Sequence, residues 1–220
     1  MKNKKINKIS KISKEVASKV EQLKKEKTFV IIKPDGVQRT LIGEIIKRYE
    51  KMGLKLQALK MIIPTAKIAE KHYTLDPEWI RKVGEKSIAG YKSKGLVPPT
   101  ENPIELGKGV LGRLVKFMIS GPVVAMVWQG SHAVQIVRKM TGGTEPLTSD
   151  VGTIRGDFVI DSYQIADLDN RAVRNAVHAS GSVDEAKNEI DLWFKPEEVL
   201  DYHLIQDSIL YDVNLDGILE

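Results

Sequence analysis

From Lys27 onward the chain alternates short β-branched apolar runs with stretches whose apolar residues fall three or four apart. Thr28-Phe29-Val30-Ile31-Ile32-Lys33 is a run closed by Pro34-Asp35-Gly36, which predicts a strand and a turn. Leu41, Ile42, Ile45, Ile46 and Tyr49 share one helical face, so residues 40–52 are predicted helical with Gly53 as the stop. Residues 54–63 predict a second strand, and Thr65 can cap a helix through Ala66, Ala69 and Tyr73. Helical spacing returns at Leu111, Leu114, Val115 and Met118, Pro122 to Trp128 reads as a buried strand, and residues 132–140 as a further helix. Asp157 to Ile160 begins another strand. Ser182-Val183-Asp184-Glu185 has the capping-box form ahead of Ala186, Ile190 and Trp193, which marks a helix start.

Two stretches break this rhythm. Residues 74–108, with Pro77, Pro98, Pro99 and Pro103, read as irregular around a possible helix in 78–93, and residues 161–171 read as irregular and polar. Strands alternate with helices without regular βαβ spacing, a Gly-rich dinucleotide fingerprint or a Gly-x-x-x-x-Gly-Lys-Ser/Thr loop. An α+β sandwich is therefore expected rather than a doubly wound sheet.

Ahead of this core, Ile6, Ile9, Ile12, Val16, Val20 and Leu23 line one face of a predicted basic amphipathic helix, residues 1–26. Residues 1–27 hold ten Lys against three Glu, a local charge of +7 that leaves −2 for the rest of a chain whose total is +5. The basicity belongs to the extension, and a helix docked on its own protein or frayed is the expectation there, ahead of membrane or nucleic-acid binding. The segment lacks an apolar signal core and a transit-peptide pattern, which points to the cytoplasm. In 220 residues no apolar run suits a membrane span, and the absence of cysteine excludes disulfides, thiolate zinc sites and thiol nucleophiles.

Imidazole chemistry is left to four histidines. His178 stands in a segment of small and polar residues that feeds a capped helix, where free N–H groups favour an anion. An imidazole attacks phosphorus if one ring nitrogen is unprotonated and the other is held, and Glu189 on the following helix is a candidate holder. Lys33 projects from a strand end, while Arg138, Thr144 and Arg155 supply donors suited to phosphate oxygens. Each residue alone reads more readily as a cap, a turn or a surface ion pair. His72, His132 and His203 show no ligand spacing, so structural roles are expected for them and no zinc site.

Together these residues resemble the nucleoside diphosphate kinase family. Lys33-Pro34-Asp35-Gly36-Val37, Ser120 to Trp128, Gly152 to Phe158, the His178 segment and Trp193 to Glu198 occur in the family's order. The resemblance spans about 27–205, with extra residues within about 74–108 and 161–173, so one catalytic domain, 27–220, is expected behind the 1–26 extension. It implies a ferredoxin-like sandwich with a four-stranded antiparallel sheet covered by helices, assembled into a dimer, tetramer or hexamer. It also implies ping-pong transfer of the γ-phosphoryl group from nucleoside triphosphates to diphosphates, with Mg²⁺ held mainly by phosphates and water.

By the same resemblance His178 is the phosphoryl acceptor, Glu189 holds its other nitrogen and Ser180 supports that contact. Lys33 and Tyr73 would steady the moving phosphoryl group. Arg138, Thr144 and Arg155 would grip the remaining phosphates, and Lys33 and Asn175 the ribose. Two positions depart from the family: Val110 stands where an aromatic ring usually faces the base, with Trp79 or Tyr91 as candidate replacements, and Gly181 stands where an Asp is common. A nucleotide-binding regulatory protein without turnover is the alternative, disfavoured because no central residue is missing. No stable nucleic-acid partner is expected.

Overall fold

The first strand, β1 (Glu26–Ile32), sends Val30 and Ile32 to one side and Phe29 and Ile31 to the other, and all four are fully buried. Such a strand must be covered on both faces. In the computed structural model, which describes residues 15–16, 18–93 and 95–211, β1 lies between β3 (Val123–Gly130) and β4 (Val177–Ala179). β3 pairs with β1 from Glu26 opposite Gly130 to Ile32 opposite Val124, and β2 (Lys55–Ile62) pairs with the outer side of β3 through a register break at Leu56/Ala58. The order is β2-β3-β1-β4 with every neighbouring pair antiparallel. This is the split βαβ arrangement of a ferredoxin-like α+β sandwich.

After β1 come α1 (Pro34–Gln38) and α2 (Ile42–Lys51), then β2, α3 (Ala66–Tyr73), α4 (Trp79–Ser93) and α5 (Pro103–Met118). β3 leads into α6 (Ala133–Thr141), α7 (Ile154–Phe158) and α8 (Tyr163–Leu168), and β4 into α9 (Val183–Trp193) and α10 (Asp207–Leu210). Ile45 and Tyr49 of α2 and Ala133 and Val137 of α6 pack on Val30, Met126 and Trp128. On the opposite face Ala69 of α3, Met118 of α5 and Trp193 of α9 cover Phe29, Ile31 and Val127. The second face matters for chemistry, because it brings α3 and α9 over β4.

Four sequence expectations need correction. Residues 74–108 are largely helical: α4 forms over the stretch that could hold a helix, and α5 starts at Pro103 because Asn102 Oδ1 accepts from the Ile104 and Glu105 amides. α4 and α5 form a hairpin held at two glycines, since a Cβ on Gly84 would lie 1.8 Å from the Pro103 carbonyl oxygen and one on Gly107 would lie 2.0 Å from that of Ile80. No strand forms at 157–160: residues 157–158 end α7, capped by Thr153 Oγ1 on the Gly156 amide, Val159 is extended but unpaired in the sheet, and the polar stretch after it contains α8, capped by Ser162. The His178 segment, read as a loop, contains β4. Three residues of pairing along one edge leave no periodic signal.

Of the predicted N-terminal helix, residues 1–14 lie outside the described residues and 18–24 are helical. Val16 and Val20 are exposed, so at those positions the apolar stripe is not docked on its own chain. No helix among the described residues is long and apolar enough to cross a membrane.

Candidate active site

His178 is the middle residue of β4, opposite Ile31 of β1. Its Nε2 lies 2.7 Å from Oε1 of Glu189, which α9 delivers from the second turn after its Ser182 cap. Ser180 Oγ donates to the other carboxylate oxygen at 2.6 Å and so fixes the plane of the carboxylate. With Nε2–H donating to Glu189, the lone pair of the neutral ring sits on Nδ1. Burial, then the positive charge of Lys33, pushes the imidazole well below its usual range, while Glu185 opposes the shift. Burial pushes Glu189 upward, against His72 and the Ser180 hydroxyl.

A cavity of about 820 Å³ opens in front of this pair. Of the residues expected at the site, Lys33, Tyr73, Val110, Arg138, Thr144, Arg155, Asn175, His178 and Glu189 all line it, while Ser180 acts from behind through Glu189. Trp79 lines the cavity as well, its ring 5.7 Å from that of Tyr73, whereas Tyr91 is not among the lining residues. Tyr73 Oη is buried without a hydrogen-bond partner, and burial raises its pKa, so it remains a neutral donor. An orphan hydroxyl beside a cavity is suited to a ligand oxygen.

The cations are held in different ways. Lys33 Nζ donates to Asn175 Oδ1 at 2.7 Å, and burial followed by the Arg155 charge brings its pKa down to about 7. Arg155 donates from Nε to the Asn175 carbonyl, from Nη1 to the Gly142 and Gly143 carbonyls and from Nη2 to the Val177 carbonyl. That leaves a single Nη2 hydrogen for a ligand. Burial and Arg138 bring Arg155 to about 10, still protonated at neutral pH. Arg138 is freer, with one bond of 3.3 Å to the Ala179 carbonyl.

Two features escaped the sequence reading. His72, expected to be structural, stands edge-on to His178 with ring centroids 4.6 Å apart, and its Nδ1 lies 3.5 Å from Glu189 Oε1 and accepts from Trp193 Nε1 at 3.4 Å. Its signal was adjacency to Tyr73 on α3. His72, His178 and Glu189 do bring ligand atoms together within 4.8 Å. Glu189 is already bonded to His178 and Ser180, and His72 Nδ1 accepts from Trp193, so His72 packs against the hydrogen-bonded His178–Glu189 pair and the three do not form an open metal site. The second feature concerns Gly181: a Cβ there would lie 2.7 Å from Glu185 Oε2, which accepts from the Gly181 amide at 2.9 Å. A carboxylate from one helical turn further on thus lies against residue 181, and Glu185 lines the cavity.

The sequence model of the nucleoside diphosphate kinase family matches residues 26–79 and 105–199, leaving most of α4 and the following turn outside. A nucleoside diphosphate kinase of Pyrobaculum aerophilum is 48% identical over 180 residues, covering 80% of this chain and 98% of that protein. Nucleoside diphosphate kinase A of Canis lupus familiaris is 40% identical over 187 residues, 85% of this chain and 97% of its own. The crystal structure of an NDP kinase from Pyrobaculum aerophilum superposes with a TM-score of 0.78 at 46% identity over 80% of this chain and all of that one. The Borrelia burgdorferi nucleoside-diphosphate kinase with bound vanadate and ADP, described as a transition-state mimic, gives 0.70 at 34% identity, covering 85% and 97%. With the motifs in order and the family match spanning most of the fold, the chain belongs to the nucleoside diphosphate kinase family.

Proposed function

We propose that the chain moves a γ-phosphoryl group between nucleotides through a phosphohistidine on Nδ1 of His178. One observation carries the reading: Nε2 is tied to Glu189, so the free lone pair sits in a cavity bearing Lys33, Arg138 and Arg155. Nδ1 attacks the γ-phosphorus, the bond from that phosphorus to the bridging oxygen breaks, and the nucleoside diphosphate leaves. The phosphorylated ring keeps its Nε2 proton and becomes cationic, which the Glu189 carboxylate stabilises. A second diphosphate then attacks the phosphorus and restores neutral His178.

Lys33 and Tyr73 lie where donors can meet the moving oxygens, Arg138 and the remaining Arg155 hydrogen can hold the others, and Lys33 with Asn175 can take the ribose hydroxyls. Trp79 and Val110 line the same cavity and are the apolar surfaces we assign to the base. Because sugar and phosphates are common to all nucleotides, discrimination among bases is weak. Mg²⁺ fits this donor set as a passenger of the nucleotide: Glu189 is engaged by His178 and Ser180, and Glu185 is the carboxylate we assign to it through water. The ion, when bound, neutralises phosphate charge.

We assign the chain to a homo-oligomer, supported by the outer strand β2, which leaves Leu59 and Met61 exposed, with exposed Ile63 just past its end. A cytoplasmic location accords with a chain that has no cysteine. The regulatory alternative finds no support in a site whose parts converge.

The decisive experiment is rapid quench with labelled Mg·ATP. A stoichiometric, acid-labile phosphoenzyme should form before diphosphate is added and be lost in His178→Ala, which should still bind nucleotide. Transfer that requires both nucleotides together, or that persists in His178→Ala, would overturn the proposal.

A further inference from the structure

Asn175 and His178 line the same cavity although they are three residues apart. In an unbroken strand, residues three apart point to opposite faces. The break lies at Ala176, a fully buried alanine in the left-handed region at φ +57°. It turns the chain so that Ala176 and Val177, which are sequence neighbours, both enter one core cluster.

A non-glycine residue in that region is strained and persists only where its surroundings hold it. Here both backbone groups of Ala176 and the carbonyls on either side of it are tied. The Ala176 amide donates to Asp35 Oδ2 at 3.0 Å, and the Ala176 carbonyl accepts from the Lys33 amide at 2.7 Å. The carbonyls on either side, of Asn175 and Val177, both accept from Arg155. Gly36 completes the seat, since a Cβ there would lie 3.0 Å from the Ala176 carbonyl oxygen and 2.8 Å from Ile32 Cγ2. The turn after β1 thus grips the chain just ahead of the nucleophile at a distance of about 140 residues in sequence, and Asp35 is the side chain in it that bonds the Ala176 backbone.

We propose that Asp35 is a positioning residue for phosphoryl transfer: its carboxylate holds the left-handed turn at Ala176 that brings Asn175 and His178 onto one cavity. Asp35 acts through the backbone and touches neither nucleotide nor phosphoryl group. The proposal rests on His178 as phosphoryl acceptor; failure of that reading would appear separately, as absence of a phosphoenzyme in the parent chain.

The test is the single-turnover rate of phosphoenzyme formation with Mg·ATP in three variants, with thermal unfolding followed in parallel. Asp35→Ala should slow the step by roughly ten- to a hundredfold, the range expected for a small misplacement of reacting groups. Asp35→Asn should remain within about threefold of the parent, because its amide oxygen accepts the same N–H. Adding Ala176→Gly to Asp35→Ala should recover at least about fivefold, because glycine adopts positive φ without a side-chain clash. A contrary account, in which the Asp35 charge acts on Lys33, predicts that Asp35→Asn is as slow as Asp35→Ala and that glycine rescues nothing; either result overturns the proposal. Were Asp35→Ala too unstable to purify, the double variant would decide: it should fold and react within about tenfold of the parent, and its failure to fold would equally overturn the proposal.

Discussion

Lys33 is only 6% exposed, and burial followed by the neighbouring Arg155 charge takes its ammonium from 10.5 to about 7. An unfolded chain keeps that proton up to about 10.5, so between about pH 7 and 10.5 the unfolded state binds more protons and stability rises with pH. At about 1.4 kcal/mol for each pH unit, the charged lysine costs the nucleotide-free fold at most roughly 5 kcal/mol at neutral pH. The bond from Nζ to Asn175 Oδ1 returns part of this. Lys33→Met removes the charge at similar chain length. Urea unfolding at fixed protein concentration should show the variant more stable than its parent by roughly 2–4 kcal/mol at pH 7, with the advantage shrinking toward zero near pH 10. Phosphoryl transfer should fall by roughly a hundredfold or more in the same protein. A variant less stable than the parent, or an advantage that stays constant from pH 7 to 9.5, would show that the ammonium is well solvated in the fold and that the reasoning is wrong.

Glu189→Gln keeps an acceptor for Nε2–H but loses the charge that stabilises a phosphorylated ring, so kcat should drop by roughly 10²-fold or more while nucleotide Kd changes little; a rise in Kd with kcat intact would instead make Glu189 a binding residue. Gly84→Ala drives a Cβ into the Pro103 carbonyl and should destabilise the chain by about 1–3 kcal/mol, visible in denaturant midpoints, while the same change at exposed Gly43, which has open space around it, should not. Trp79→Ala should weaken nucleotide binding by about 1–3 kcal/mol for every base and leave inorganic tripolyphosphate binding unchanged; equal loss for both ligands would move Trp79 out of the base site. Competition among ATP, GTP and pyrimidine triphosphates should reveal less than roughly a hundredfold preference, about 2.7 kcal/mol, and a larger ratio would expose a base-specific contact.

What was legible in the sequence, and what was not, follows from range. β1, β3 and α2 are written in local apolar periodicity, and the Lys33, Arg155 and His178 segments in ordered motifs. β4 is three residues long and exists because β1 offers it an edge, so nothing within Val177-His178-Ala179 announces a strand. α7 and α8 depend on caps at Thr153 and Ser162, and the β-branched Val159 and Ile160 fall in the short link between them. His72 carried no signal beyond its adjacency to Tyr73, because its significance lies in a ring contact with His178, more than a hundred residues away. The predicted grip of Arg155 on phosphate was legible as a guanidinium near a loop, but not its bonds to four backbone carbonyls. Motif reading identifies residues a site needs, while the partners that fix them are set by tertiary contacts.

The two buried rings beside Glu189, His178 bonded to it and His72 edge-on to His178, set a limit in acid that can be measured. Burial is the first cause at both histidines: His72 falls to about 3, with His178 as the next contributor, and His178 falls to about 3, with Lys33 next. A free imidazole takes its proton near 6.5. In the fold both rings therefore stay neutral through the range where unfolded histidines become charged, and Nδ1 of His178 keeps the lone pair it needs. Stability follows the same shift with a definite sign: below about pH 6.5 the unfolded chain binds more protons, so the fold loses up to roughly 2.7 kcal/mol per pH unit from the two rings as pH falls. Phosphoenzyme formation, by contrast, should not decline at 6.5. Its acid limb, which belongs to the coupled His178–Glu189 pair, should lie at least about one unit lower, provided circular dichroism shows the chain still folded. A limb at or above 6.5 in folded protein would mean that water and nearby carboxylates solvate His178 well enough to cancel its burial, and the neutral-ring mechanism would lose its physical basis.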